Sequence, residues 1–132
     1  MQNRPNVLLI NTDQQRYDSL GFTGNPIVQT PNIDRIAANG MAFTHAFTAL
    51  PLCTPGRQSL LCSLTPEVHG VFWVYGVGHK TPEFSPEHDI WVRHLKNVGY
   101  GTGYAGKWHV HPKIDPTGYG FDYYAPGNYP WR

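Results

Sequence analysis

Three places in this sequence combine residue types that could do chemistry. The first is Cys53-Thr54-Pro55-Gly56-Arg57, followed by the helix-like run Gln58 to Leu64. Proline suits the first helical position, where its missing N–H would be an orphan anyway, and Thr54 before it reads as the N-cap. Cys53 then sits just outside a helix N-terminus, where backbone N–H groups and the positive end of the dipole make a site for an oxyanion such as sulfate or phosphate. Arg57, four residues on, falls on the same side and adds a planar cationic fork. The second place is Asp13-Gln14, a carboxylate beside an amide oxygen, both hard ligands suited to Ca²⁺, Mg²⁺ or Mn²⁺. The third is Lys107 and His109, two apart, which on a strand would share a face: a cation for an oxyanion and an imidazole able to exchange a proton.

Each place also has a plainer reading. Cys53 can be a small buried hydrophobe and Arg57 a solvated helix residue. Asp13 can cap a turn, and Lys107 and His109 can be one exposed lysine and one buried histidine. His109 and His111, again two apart, could instead form a zinc pair, although neither an HExxH pattern nor a cysteine-rich partner set accompanies them.

The elements that must position these groups follow from pattern. Asn6 to Thr12 is a continuous apolar run ending in polar residues, which predicts a buried parallel strand of an α/β sheet with Asp13-Gln14 at its carboxyl end, where ligands collect. Thr30 to Gly40 predicts a helix with Thr30 as N-cap, Pro31 at its first position, Gly40 as its stop, and Ile33, Ile36 and Ala37 on its buried side. Met41 to Ala49 reads as a short strand and approach loop, with His45 a packed or hydrogen-bonded residue. Thr65 to Gly70 is a turn, and Val71 to Pro86 an aromatic loop whose Phe72, Trp73 and Tyr75 could wall a leaving-group pocket or belong to the core. Ser85 opens a second helix reaching about Asn97, Gly99 to Ala105 is a turn and then a strand, and the residues after Phe121 read as a loop.

Cys-Thr-Pro-Gly-Arg at 53–57 resembles the Cys-x-Pro-x-Arg signature of the type I sulfatases, in which the cysteine is oxidised to formylglycine. Gly99-Tyr100-Gly101-Thr102, two intervening residues and then Ala105-Gly106-Lys107-Trp108-His109 match the family's second signature. Thr12 to Asp18 is similar to its first metal-binding segment, with Gln14 where Asp is commonest; the Asp-Gln form also occurs in the related phosphonate monoester hydrolases. Thr30-Pro31-Asn32-Ile33-Asp34 resembles a structural motif of the family, and His69-Gly70 a pair that can lie near its site. Gly118 to Asp122 is similar to a following loop.

The resemblance implies an α/β fold, the N-terminal portion of an alkaline-phosphatase-like, mostly parallel sheet flanked by helices, with residues 1–132 one truncated portion of the catalytic domain. It implies hydrolysis of a small-molecule sulfate ester by formylglycine made from Cys53, with a divalent metal, Ca²⁺ first, held by Asp13, Gln14 and the formylglycine at 53. The hydrated aldehyde attacks sulfur, Arg57 and Lys107 neutralise charge, and His109 orients or accepts a proton as sulfate is expelled. A formylglycine-generating enzyme is an implied partner. So are C-terminal segments of the same protein, because the family's remaining metal ligands, another His and a second Lys lie further on.

Composition bounds the rest. With 40% hydrophobic and 14% aromatic residues the chain can build a core, and its 12 Pro, 14 Gly and 7 His read as loop-rich. A net charge of +1 without a basic cluster points away from nucleic acid and from an anionic membrane. Cys53 and Cys62, nine residues apart, would face opposite sides of a helix, so a bridge between them is not expected. The apolar run Val7 to Ile10 is too short for an export signal or a span, which gives a cytoplasmic expectation.

Overall fold

The computed structural model describes residues 4–78 and 80–127. The chain divides into two units, Met1–Ala46 and Phe47–Arg132. Among the described residues no helix is long and apolar enough to cross a membrane.

In the first unit a 3-10 turn, Gly21–Thr23, precedes helix α1, Pro31–Asn39, which starts and stops where the Thr-Pro and Gly signals put it. Thr30 stands at the N-cap, yet its hydroxyl serves the preceding turn rather than the helix: Oγ1 accepts from the Gly21 N–H at 2.8 Å and donates to Asp34 Oδ1 at 2.7 Å. Asp34 Oδ1 in turn accepts from the Phe22 N–H at 2.9 Å. The expected buried side of α1 is not buried: Ile33 and Ile36 are exposed and Ala37 is half-covered. Nor is Asn6 to Thr12 a strand. A strand exists only through a ladder with a neighbour, no described segment supplies one, and Leu8 stands 84% exposed. The same holds for the strand expected within Met41 to Ala49, where Met41, Phe43 and Phe47 are exposed.

The second unit carries α2 (Cys53–Cys62), α3 (Pro66–His69), α4 (Trp91–Asn97), β1 (Gly103–Ala105), a 3-10 turn at Pro116–Tyr119 and β2 (Tyr123–Ala125). The strands pair in parallel, Gly103 with Tyr123 through Ala105 with Ala125, so the architecture is α/β. β2 corrects the expectation of a plain loop after Phe121; residues 128–132 of that stretch lie outside the described residues. Thr102 anchors the pair: its N–H and hydroxyl both donate to Asp122 Oδ2, at 2.8 and 3.0 Å, while Lys96 holds Oδ1 at 2.7 Å. The Lys96 ammonium and the Thr102 donors bring the Asp122 carboxyl down to about 2.

Helix α4 begins at Trp91, with Ile90 as N-cap, not at Ser85. The Arg93 guanidinium donates to the carbonyls of His88 and Pro86, which a longer helix would give to the N–H groups of Val92 and Ile90. The core gathers Leu61, Cys62, Phe84, Ile90, Val92, Trp108, Val110, Tyr119 and Phe121. Aromatic rings in the core and packed against it meet edge-on or stacked, such as Tyr104 on Trp108 at 5.1 Å and Phe84 on Tyr119 at 5.8 Å. Their polar ends are satisfied, with Trp108 Nε1 donating to the Ile114 carbonyl at 2.8 Å and Tyr119 donating to that of Phe84.

Two buried histidines make this unit acid-sensitive. The Val71 N–H donates to Nδ1 of His69, so Nε2 carries the proton and donates to Ser59 Oγ at 2.9 Å. His111 Nδ1 likewise accepts from the Lys113 and Ile114 N–H groups. Burial pushes both imidazoles below their ordinary value, with His88 adding to the effect at His69. Because the folded pKa lies below the unfolded one, their contribution is intact above pH 6.5 and is lost as pH falls through the folded values. The melting temperature is expected to drop between about pH 7 and 5, and to drop less steeply in His69→Asn. A pH-independent melting temperature over that window would contradict this.

Candidate active site

Helix α2 starts two residues earlier than Thr54-Pro55 suggests. Leu52, extended at φ −120° and ψ 149°, is the N-cap, Cys53 is the first helical residue, and the Gly56 N–H closes the first turn on the Leu52 carbonyl at 3.0 Å. Proline is tolerated anywhere in that turn, since none of its N–H groups has an intrahelical acceptor, and Pro55 takes the third position. Cys53 therefore lies in the helix end itself. Thr54 and Pro55 are buried beside it, while Cys53 and Arg57 stay half-exposed.

The segment after β1 meets this end. Gly106, at φ +100°, takes the left-handed backbone that ends the strand, and Lys107 Nζ comes to 3.4 Å from Cys53 Sγ. Arg57 holds the same residue by its backbone: Nη1 donates to the Lys107 carbonyl at 2.9 Å and to Tyr104 Oη at 3.3 Å. Tyr104 Oη also donates to the Lys107 carbonyl. Burial raises the Tyr104 phenol above its ordinary value, with Arg57 opposing, so at neutral pH it remains a donor. Arg57 thus works here as a tether for Lys107, a role its spacing did not suggest. Tyr104 went unremarked in the sequence, although it lies between the Gly-Tyr-x-Thr and Ala-Gly-Lys-Trp-His halves of one signature.

His109 does not share a strand face with Lys107. β1 has ended at Ala105, and His109 is half-buried with φ at +50°, so the two-residue alternation that would pair them does not apply. His111 is engaged elsewhere: Nδ1 accepts two backbone N–H groups and Nε2 faces Glu83 at 3.5 Å, which argues against the zinc pair. His69 is buried against Ser59 and Phe84. Cys53 and Cys62 are both thiols, and burial raises that of Cys62.

Asp13 and Gln14 belong to the first unit, in an exposed bend. Gln14 has φ at +54°, a backbone state rare outside glycine that concentrates at ligand sites. A carboxylate and an amide oxygen there fit a hard divalent cation in donor chemistry and supply two of the six to eight oxygens Ca²⁺ takes. Among the described residues no three His, Cys, Asp or Glu side chains converge as a metal site.

The family model described as Sulfatase matches residues 5–131. This chain belongs to the sulfatase family. It is 38% identical over 128 residues to N-acetylgalactosamine-6-sulfatase of Sus scrofa, covering 89% of this chain and 24% of that protein. It is 34% identical over 116 residues to an arylsulfatase of Clostridium perfringens, covering 88% and 23%. Among solved structures it resembles Ps i-CgsB in complex with k-i-k-neocarrahexaose, with a TM-score of 0.76 and 29% identity over 87% of this chain and 27% of that one. The sulfatase chain therefore spans about a quarter of the length of the curated relatives it matches. Its α/β architecture is that of the alkaline-phosphatase-like fold of its structural neighbours.

Proposed function

We propose that this sulfatase-family chain carries the nucleophile end of a sulfate-ester hydrolase, with Cys53 as the precursor of formylglycine. The observation that carries the reading is the ammonium of Lys107 lying 3.4 Å from the Cys53 side chain at a helix N-terminus. Formylglycine supplies a hydrated aldehyde, a nucleophile that can later release its sulfate, which a thiol cannot. The chain's own residues do the rest. Lys107 and the dipole of α2 neutralise charge on the transferring group and the leaving oxygen. Arg57 and Tyr104 hold Lys107 in place by its carbonyl, and the imidazole of His109 orients or accepts a proton.

Asp13 and Gln14 would hold a divalent cation, Ca²⁺ ahead of Mg²⁺ or Mn²⁺, which when bound supplies Lewis-acid charge stabilisation. Further ligands would come from other segments of the full-length protein, of which residues 1–132 form the N-terminal portion of the catalytic domain. Maturation by a formylglycine-generating enzyme would precede folding, since Thr54 and Pro55 within the motif are buried in the folded unit. The resemblance to an N-acetylgalactosamine-6-sulfatase and to a structure in complex with a neocarrahexaose supports a sulfated sugar as the substrate class.

The Asp13-Gln14 pair keeps a second reading open, a phosphonate monoester or phosphodiester hydrolase built on the same groups. Rates of the full-length protein on a matched aryl sulfate and aryl phosphonate separate the two. Faster turnover of the sulfate is the expected result; a phosphonate rate well above it would replace the first reading with the second.

A further inference from the structure

Gln58, like Thr54, is a wholly buried polar side chain of α2, and nothing above uses its amide. Its Nε2 donates to the Val110 carbonyl at 2.8 Å and to Tyr75 Oη at 3.2 Å. The carbonyl can only accept, which fixes the amide orientation. Its Oε1 is buried without a hydrogen-bond partner among the described residues. An orphaned buried acceptor is destabilising, and an apolar side chain would fill the same volume without it, so packing does not account for glutamine here.

Its place in the network does. Arg57 and Gln58, adjacent on α2, grip the carbonyls of Lys107 and Val110 and so bracket the segment that leaves β1 without strand pairing. The Tyr75 hydroxyl ties the same amide to the aromatic loop, donating to the Pro82 carbonyl at 2.8 Å and accepting from the Phe84 N–H at 2.9 Å, while its N–H reaches Thr54 Oγ1 beside Cys53 at 3.5 Å. We infer that Gln58 is a positioning residue: by donating to the Val110 carbonyl it sets the distance between the Lys107 ammonium and the side chain at position 53. This deepens the functional reading above, while the geometry it claims is testable without it.

The first test uses protein made without the formylglycine-generating enzyme, in which Cys53 remains a thiol. The ammonium 3.4 Å from Sγ attracts an anionic reagent, so alkylation of Cys53 by iodoacetate, measured against neutral iodoacetamide and read by mass spectrometry, reports whether Lys107 is in place. Gln58→Met, equal in size but without a donor, is expected to slow alkylation by iodoacetate several-fold relative to iodoacetamide, to the ratio seen in Lys107→Met. Alkylation at the wild-type ratio would overturn the inference. Should Gln58→Met not fold, Gln58→Thr, whose hydroxyl is too short to reach Val110, carries the same expectation.

In matured protein the ranking of two variants adds a readout that packing would reverse. Gln58→Met should lower kcat by about 100-fold with KM little changed, the scale of an ångström of misplacement. Gln58→Glu, whose buried carboxyl stays neutral and keeps an O–H donor, should retain more activity than Gln58→Met. Activity of Gln58→Met equal to or above that of Gln58→Glu would overturn the proposal. A wild-type protein that carries formylglycine and turns over no ester would sink the functional reading alone, leaving the alkylation result to decide this one.

Discussion

Replacing Cys53 by alanine is expected to reduce sulfate-ester turnover by the full-length protein by roughly 10⁴-fold or more, the scale on which loss of a nucleophile is felt. The loss should appear in kcat, because formylglycine forms only from the residue at 53, while the groups that surround it remain. The fold should not suffer. Cys53 is the first residue of α2, half-exposed, and its Sγ lies outside the core formed by Leu61, Phe84, Trp108 and their neighbours. Alanine is also acceptable in the first turn of a helix. Steady-state kinetics with a melting curve on the same preparation checks both halves. Turnover within a few-fold of wild type would exclude position 53 as the nucleophile.

The second large effect is expected at Lys107. Lys107→Met removes the ammonium 3.4 Å from position 53 and keeps most of the aliphatic stem. The contacts of Arg57 and Tyr104 are to the Lys107 carbonyl, so this tether survives the substitution. A cation that neutralises charge developing in the transition state is worth about 10² to 10³ in kcat, or about 2.7–4 kcal/mol. The decrease should fall on kcat more than on KM. Lys107→Arg should recover little, since a planar fork on a longer stem does not place its charge where the ammonium stands. A Lys107→Met enzyme that loses affinity but keeps kcat would assign the lysine to substrate binding alone.

Local chemistry made part of this fold legible. Thr30-Pro31 and Gly40 set both ends of α1, because a helix start and a left-over glycine are short-range features that need no partner. The start of α2 was misplaced by two residues for an equally local reason: proline is allowed throughout the first turn, so its presence marks the turn and not the position within it. The second helix is shortened by Arg93, whose guanidinium takes two carbonyls that a pattern of apolar spacing assigns to the helix.

Strands were the less readable part, since each depends on a neighbour. The apolar pattern of Asn6 to Thr12 is that of a buried strand, and without a described partner it carries no ladder. The three-residue β2, by contrast, has little pattern of its own and exists through β1. The site shows the same division. Cys53 and Lys107 were visible as motif residues and do meet, though by the turn at Gly106 and the Arg57 tether instead of strand alternation. Tyr104 and Gln58 could not be found this way, since a phenol or an amide gains a role only from the carbonyl that folding brings to it.

The central claim is that position 53 holds an aldehyde in the mature protein, and peptide mass spectrometry tests it most directly. Trypsin releases Ile36 to Arg57 intact, with no lysine or arginine between. In protein expressed with a formylglycine-generating enzyme, that peptide should have lost the sulfur of Cys53 and gained a carbonyl that reacts with a hydrazine. A Cys53 that stays a thiol and alkylates quantitatively in that host would contradict the account and leave the chain a binder of metal or anions.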